Sequence, residues 1–582
     1  MAEPEHRLLE GLTAEQRDAV TTRVSPLCVI AGAGSGKTRV LTRRIAWQAG
    51  QGHIDPRRTL TVTFTRRAAR ELRSRLRGLG LNDAVSAGTF HAIALAQLRR
   101  HAADSDRSPP RILDSTAKLI AELRPRADRA AVSDIANEIG WCRARLVAPE
   151  DYVRAAREAG RRPQTGRGDR FSQIYADYES AKRKRRLLDF NDVLARSLEL
   201  MATEPRHAAA NRWLHQHLLV DEFQDINPLQ FALLRSWLGP DSTLVVVGDP
   251  DQAIYGWNGA DPDVITSVGD HLERCAVLHM RTNFRSTPEV LDAAGRILGR
   301  SPQPAVCPSG DRPTVTVCDG ADEAAVLARA VLQRHRPGSP WRRQAVLART
   351  NAQLEPLRRA LLRQSIPVAA AGEAGLLRRP EITAVMEVWP RDARLASCVA
   401  DTRQWLRDAS GVGDGPGGPA GLHTPEARAN AEAFLDFAED HLCLDPDATV
   451  KSFTVALRAD DRLLAPSDRV DLTTFHAAKG LEWPIVHLVG MEDGFVPIAH
   501  ARTAAARAEE RRLLHVAVTR AEEELHVLWC DRRDLGGQSV ERHPSPWLEA
   551  IGSPDSPDDA ESQRLRNLEG IRAARRARMR AG

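Results

Sequence analysis

A chain of 582 residues with a formal net charge of +5 is long enough to bury several cores, and too weakly basic to be coated with positive charge. Its eight cysteines form no C-x-x-C pair, which excludes the usual zinc and iron–sulfur frameworks, and a disulfide scaffold does not suit a large chain whose first ten residues lack an apolar signal core. No apolar run approaches the ~20 residues of a membrane span, so a cytoplasmic protein with no membrane partner is expected.

In chain order, short apolar runs at 27–30, 60–64, 218–220 and 244–247 end at polar or glycine-rich loops and are followed by helical patterns. Most are apolar on both faces, as strands of a buried parallel sheet are. A second set follows at 314–318, 345–348, 486–489 and 525–528. The pattern predicts an α/β protein with two such sheets in tandem. Residues 92 to 200 read as helical and contain the basic run 182–186, which is either a solvated helix face or a phosphate contact. Residues 411–421 are glycine- and proline-dense and read as a linker, and 564–582 form a basic tail.

Ala31-Gly32-Ala33-Gly34-Ser35-Gly36-Lys37-Thr38 follows the first apolar strand and opens a helical pattern, the context a phosphate-binding P-loop needs. Glycines let backbone N–H groups close around phosphate oxygens; Lys37 reaches the β- and γ-phosphates, and Thr38 offers its hydroxyl to Mg²⁺. Ala31 stands where the pattern has glycine, and a small residue fits there. The alternative is a glycine-rich turn with no ligand. The chain has only six lysines, so one placed here is added support.

The strand at 218–220 carries Asp221 and Glu222 out at its C-terminal end, where ligands bind in such sheets. Asp221 can hold Mg²⁺, and Glu222 can orient and deprotonate an attacking water. An Asp-Glu pair after a strand is on its own more often a surface turn; the P-loop upstream favours the functional reading.

The segment Asp221-Glu222-Phe223-Gln224-Asp225-Ile226-Asn227-Pro228-Leu229-Gln230 resembles motif II of UvrD/Rep/PcrA-type superfamily 1 DNA helicases. The other motifs occur in the family's order. Leu12-Thr13-Ala14-Glu15-Gln16 is similar to the Q motif, Thr63-Phe64-Thr65-Arg66 to motif Ia, and Gly88-Thr89-Phe90-His91 to motif Ib. Leu187-Leu188-Asp189-Phe190-Asn191-Asp192 resembles a further signature, and Val247-Gly248-Asp249-Pro250-Asp251-Gln252 with Tyr255-Gly256-Trp257 resembles motif III. Thr282-Asn283-Phe284-Arg285-Ser286-Thr287 resembles motif IV, and Leu347-Ala348-Arg349-Thr350-Asn351 a DNA-contacting motif. Thr474-Phe475-His476-Ala477-Ala478-Lys479-Gly480-Leu481-Glu482 resembles motif V, and Val516-Ala517-Val518-Thr519-Arg520 motif VI.

The resemblance implies two RecA-like P-loop NTPase domains, with ATP and Mg²⁺ between them and single-stranded DNA or single-strand/duplex junctions across the top. Motor domain 1A would comprise 1–91 and 200–285, with a helical insertion 1B at 92–199. Domain 2A would comprise 286–389 and 466–550, with a reduced 2B-like insertion at 390–465 and a tail at 551–582. Gln16 would pair with adenine and Phe284 would stack on it, where the family usually has Tyr. Gln252, Arg285 and Arg520 would surround the γ-phosphate, the two arginines, contributed by or near the second domain, acting as fingers on developing charge. Arg520 falls at helical spacing from Leu513 and Val516, on the presumed buried stripe, so it needs an anion; a buried carboxylate is the plainer alternative. Glu482 would accept from the ribose.

Trp257 and Phe64 would stack on bases, with Tyr255 as a third platform. Thr89, His91, Arg349, Asn351 and His476 would contact backbone or bases. Asn258 stands where many relatives carry Arg, and Leu354-Glu355 replaces a common Ser-Arg pair. The implied activity is 3′-to-5′ unwinding driven by ATP, in DNA repair or recombination. The short 2B-like segment also suits a translocase that displaces proteins without separating strands. A DNA-binding scaffold with a silent ATP site is a third reading, disfavoured by the intact set Lys37, Glu222, Gln252, Arg285 and Arg520.

Overall fold

The computed structural model describes residues 7–552 apart from 82–83, 109, 114, 162–167, 337, 371–379, 409–424, 445–447, 459–467 and 536–537. Six strands, β1 (Leu27–Ala31), β2 (Thr59–Thr63), β3 (Ser86–Thr89), β4 (His217–Val220), β5 (Thr243–Gly248) and β6 (Ala276–Met280), form one sheet. Their order is β3-β2-β4-β5-β1-β6 and every pairing is parallel. All six C-terminal ends therefore open on the same edge, and β1, β4 and β5 deliver their loops there side by side.

Consecutive residues of the central strands point into different cores, which is why these runs are apolar without alternation. Leu218 and Val220 of β4 pack beneath helices Phe90–Asp104, Phe190–Thr203 and Pro228–Trp237. Leu219, between them, faces the opposite core with Val29, Val245 and Val247 under helix Lys37–Gly50.

The second sheet contains β7 (Thr314–Asp319), β8 (Gln344–Ala348), β9 (Val368–Ala370), β10 (Val470–Thr474), β11 (Trp483–Leu488), β12 (Ala521–Leu535) and β13 (Gln538–Glu541). It runs β13-β12-β11-β8-β10-β9, with β7 also on β12. Only the β12–β13 pairing is antiparallel. The protein is thus α/β with two parallel-sheet units in tandem, as the sequence pattern predicts, and as the two RecA-like domains implied by the resemblance require.

Two boundaries move. The helical insertion was expected from residue 92 to 199. Ile93, Ala94, Val193 and Leu194 instead belong to the core of the first sheet. The insertion's own core is a separate cluster that includes Leu119, Ile139, Tyr152, Phe171, Tyr175 and Tyr178. The accessory insertion was expected to begin at 390, but Ile382, Val385 and Trp389 already pack into its core with Phe434, Phe437 and Phe453. Helix Pro380–Val388 thus packs on that unit. The stretch 411–421 and the basic tail 564–582 lie outside the described residues.

The basic run divides. Lys182 is buried and ion-paired with Glu179 at 3.0 Å, Asp189 at 2.6 Å and Asp192 at 2.6 Å, so it serves neither of its expected roles. Arg183, Lys184, Arg185 and Arg186 are exposed, with Arg185 paired to Glu122. No helix among the described residues is long and apolar enough to cross a membrane.

Candidate nucleotide and nucleic-acid site

The loop after β1 turns into helix Lys37–Gly50 through two left-handed glycines, Gly34 at φ 66° and Gly36 at φ 81°. A side chain is strained at such angles, so the turn needs glycine there. Lys37 Nζ donates to the carbonyls of Ala31 (3.1 Å) and Gly32 (3.4 Å), within the loop itself. Gln16 is buried beside the loop and donates to the Ser35 carbonyl at 2.9 Å. Its Oε1 accepts from Thr13 N–H, closing the capping box of helix Ala14–Thr21. Both ends of the amide expected to read adenine are therefore engaged by the protein's own backbone. Thr38 lies at the start of the helix, half-buried.

Asp221 and Glu222 emerge from β4 next to this loop. Glu222 sits at φ 54°, an uncommon backbone for a side-chain-bearing residue and one that turns the chain sharply at the sheet edge. Burial, together with Glu222, pushes the Asp221 carboxyl up to about 7. For Glu222 the effect of burial is outweighed by Lys37, Lys479, the Gln224 amide and Arg520, which hold it below the usual range. Gln224, fully buried, donates to the Glu222 carboxylate and accepts the Asp249 N–H at 2.9 Å. Asp249 in turn accepts from Gln252 Nε2 at 2.7 Å. One hydrogen-bonded chain therefore runs from the candidate base to the candidate γ-phosphate sensor.

The second unit meets this edge through three motifs. Phe284 N–H donates to the Gly34 carbonyl at 2.9 Å, and Asn283 Nδ2 to Ala33 at 2.6 Å, so the 282–287 segment rests on the P-loop. Arg285, on that segment, is ion-paired with Glu482, the residue expected at the ribose. Arg520 is 1% exposed, yet bonds only to protein carbonyls and a hydroxyl: Val516 O at 2.9 Å, Leu481 O at 3.0 Å and Thr519 Oγ1 at 3.2 Å. Burial, then Arg285, pull its guanidinium down to about 9. Among the described residues no carboxylate pairs with it, so the plainer alternative of a buried carboxylate partner is not met there.

Lys479, in the segment that resembles motif V, has a role that the sequence does not show. Its ammonium contacts both Asp225 oxygens (2.7 and 2.6 Å) and the Gln252 carbonyl (2.7 Å), 5.0 Å from the centroid of the Tyr255 ring. It ties the second unit to the first directly behind the carboxylate pair. The scarcity of lysine, which marks Lys37, marks Lys479 equally.

The expected DNA contacts divide. Trp257 is 49% exposed, with its edge toward His476 at 6.2 Å. Asn351 is exposed at the start of helix Asn351–Arg363. Phe64 packs against the core, edge-on to Phe90, and Tyr255 leans on the core of the second unit. Thr89 caps helix Phe90–Asp104 by accepting Ala92 N–H. Arg349 is committed to a two-point ion pair with Glu510, Nη2 to Oε1 at 2.7 Å and Nε to Oε2 at 3.0 Å, both side chains nearly buried. Phosphate contact would require breaking that pair, so the geometry makes Arg349 an organiser of this corner. Burial brings the imidazoles of His91 and His476 down to about 4, so both are neutral near pH 7.

Phe190 was not among the expected contacts. It is 55% exposed, with its ring 4.6 Å from that of His91, held out by the Asp189–Asp192 capping box that Lys182 braces. An exposed phenylalanine inside a quoted motif was the available signal. Phe190→Ala is expected to weaken single-stranded DNA binding by ~1–3 kcal/mol if a base stacks there. Fluorescence anisotropy with a labelled oligonucleotide measures it, and unchanged affinity removes the role.

A P-loop at the C-terminal edge of one parallel sheet, faced by Arg520 from the unit built on a second and by Arg285 from the segment between them, defines a two-lobed NTPase motor. The chain belongs to the UvrD/Rep helicase family: residues 12–273 match the UvrD/REP helicase N-terminal domain, and 278–389 with 443–532 match the UvrD-like helicase C-terminal domain. It is 35% identical to ATP-dependent DNA helicase UvrD2 of Mycobacterium tuberculosis (strain ATCC 25618 / H37Rv), over 96% of this chain and 84% of that protein. It is 28% identical to ATP-dependent DNA helicase PcrA of Bacillus subtilis (strain 168), over 95% and 87% of the two chains. The PcrA of Staphylococcus aureus (strain MRSA252) is 27% identical, over 94% and 86%.

Proposed function

We propose that the protein is a 3′-to-5′ DNA helicase that couples ATP hydrolysis to movement along single-stranded DNA, acting in DNA repair or recombination. The observation that carries the ATPase reading is Arg520: a buried guanidinium with no carboxylate partner among the described residues, close enough to Glu222 to feel its charge. Such a group suits an oxyanion that arrives with substrate and grows more negative in the transition state.

In this reading Lys37 leaves the loop carbonyls for the β- and γ-phosphates, and Gln252, Arg285 and Arg520 converge on the terminal phosphate. Glu222, held ionised by its cationic neighbours, takes the proton of the attacking water. Gln16 and Phe284 hold the adenine, and Glu482 exchanges Arg285 for the ribose. Thr38 and Asp221 supply the hard oxygen donors that Mg²⁺ prefers, and the buried carboxyl of Asp221, which accepts only the Glu222 N–H among the described residues, fits a cation. Bound there, Mg²⁺ would neutralise charge on the phosphates. Trp257, Phe190, His91, His476 and Asn351 line the DNA path, and Lys479 transmits closure from the ATP edge to Tyr255 and Trp257.

One observation favours translocation without unaided unwinding. The accessory unit leans on the first unit, with the Arg70 guanidinium over Phe437 at 5.8 Å. Phe437 and His441 line a small cavity with Arg66, Arg73 and Thr89, an expected DNA contact. The deciding experiment is ATP-dependent strand displacement on duplexes with a 3′ or a 5′ single-stranded tail, with Lys37→Ala as control. Displacement of the 3′-tailed duplex alone, abolished in Lys37→Ala, is expected. DNA-stimulated hydrolysis without displacement would establish the translocase instead, and normal turnover by Lys37→Ala would remove the site.

A further inference from the structure

Two of the P-loop glycines, Gly32 and Gly34, face side chains of the segment that leads into the second unit, whereas Gly36 faces Gln16 and Arg39 of the first. At Gly34 a Cβ would fall 2.6 Å from Asn283 Nδ2 and 2.7 Å from Arg285 Cβ. At Gly32 it would fall 1.6 Å from Gln303 Nε2 and 2.7 Å from Gln303 Cδ. The Gln303 amide therefore rests directly on the loop at Gly32, and only a residue without a side chain admits it. Gln303 lies outside every motif segment of the sequence.

Gln303 is also geared to the arginine beside it. Asn283 N–H donates to the Pro304 carbonyl at 2.8 Å, and Val306 N–H donates back to the Asn283 carbonyl at 2.9 Å. Asn283 Nδ2 reaches Gln303 Oε1 at 3.5 Å while its Oδ1 accepts the N–H groups of Arg285 (2.8 Å) and Ser286 (2.9 Å). One buried asparagine thus holds both the Arg285 loop and the Gln303 segment. The contact through Oε1 turns the donor end of the glutamine toward the loop.

We propose that Gln303 is a nucleotide-contact residue whose amide N–H donates to the terminal phosphate of a bound nucleoside triphosphate, alongside Arg285 and Arg520. Arg285 and Gln303 then reach the phosphate from one segment, tied through Asn283, and Ser286, which donates to the Ala521 carbonyl at 2.7 Å, joins that segment to the strand beside Arg520. The inference rests on the P-loop being the ATP site. The simpler alternative is that Gln303 only packs the two units together, without touching nucleotide.

The test compares binding of a fluorescent non-hydrolysable ATP analogue with that of fluorescent ADP, for Gln303→Ala, Gln303→Glu and Gln303→Lys, with ATPase KM and kcat alongside. Gln303 is half-buried in an irregular segment, so the fold should survive each change, which circular dichroism melts check. Loss of one hydrogen bond to a charged acceptor should weaken triphosphate binding roughly tenfold in Gln303→Ala, with ADP unchanged. Gln303→Glu should lose more, by repulsion, and Gln303→Lys should keep the preference for triphosphate. Unchanged triphosphate affinity in Gln303→Ala, or an equal loss for ADP, would overturn the proposal. Lys37→Ala, run in parallel, should lose both nucleotides; if it loses neither, the P-loop reading fails rather than the role of Gln303.

Discussion

Replacing Arg520 with methionine should abolish DNA-stimulated ATP hydrolysis while leaving the protein as thermally stable as before, or more so. The two halves of that expectation have separate causes. A guanidinium 1% exposed and bonded to the Val516 and Leu481 carbonyls and the Thr519 hydroxyl has its charge in low dielectric, with Glu222, Glu482 and Asp249 near but none in direct contact among the described residues. The fall of its pKa to about 9 reflects a desolvation penalty on the order of several kcal/mol. Methionine fills a similar volume and removes that penalty, against the loss of three modest hydrogen bonds. Catalysis should respond in the opposite sense, because an arginine placed on a transferring phosphoryl group contributes roughly 10³-fold or more to kcat. Steady-state ATPase assays with saturating oligonucleotide, beside thermal melts, read both quantities. Turnover within tenfold of wild type would take Arg520 off the γ-phosphate. A large fall in melting temperature would mean that its bonds are structural.

The parts of the molecule legible in the sequence were those where burial on both faces leaves a short apolar run. β1, β2, β4, β5, β8 and β11 were read that way. β3, with the sequence Ser-Ala-Gly-Thr, has no apolar run to detect and exists because β2 pairs with it. β6 lies at the edge of its sheet and exposes Val277 and His279, so it lacks the signature of its neighbours. β10 mixes Asp471 and threonines into a buried strand; Asp471 is accommodated because the Trp483 indole N–H donates to it at 2.8 Å. The candidate site was legible as motifs and illegible as partnerships. Nothing local in Arg349 or Glu510 says that they meet across 161 positions. Lys182 reads as one more charge in a basic run, because its burial depends on three carboxylates, two of them beyond the turn that follows its helix.

The Asp225–Lys479 contact leads to the second large effect. The pair is 3% and 7% exposed and joins the segment after β4 to the segment after β10, one motor unit to the other. Asp225→Ala would leave an ammonium buried between the Gln252 carbonyl and the face of Tyr255, with no anion. Removing one partner of a buried pair typically destabilises by ~3–5 kcal/mol, and because this pair spans the cleft, separating the units is the available relief. The expected result is a lower melting transition, a larger radius of gyration by small-angle scattering, and at least tenfold weaker stimulation of hydrolysis by single-stranded DNA. The double variant Asp225→Leu/Lys479→Met distinguishes adhesion from signalling. An apolar pair of similar size can restore the lost stability, since two well-packed hydrophobic side chains often match a buried ion pair. It cannot restore the bond to the Gln252 carbonyl, through which Lys479 reaches the γ-phosphate sensor. Stability recovered with DNA stimulation still lost would make the lysine a coupling element. Recovery of both would reduce it to glue between the units, and a wild-type melt for Asp225→Ala would show that the closed contact contributes little in solution.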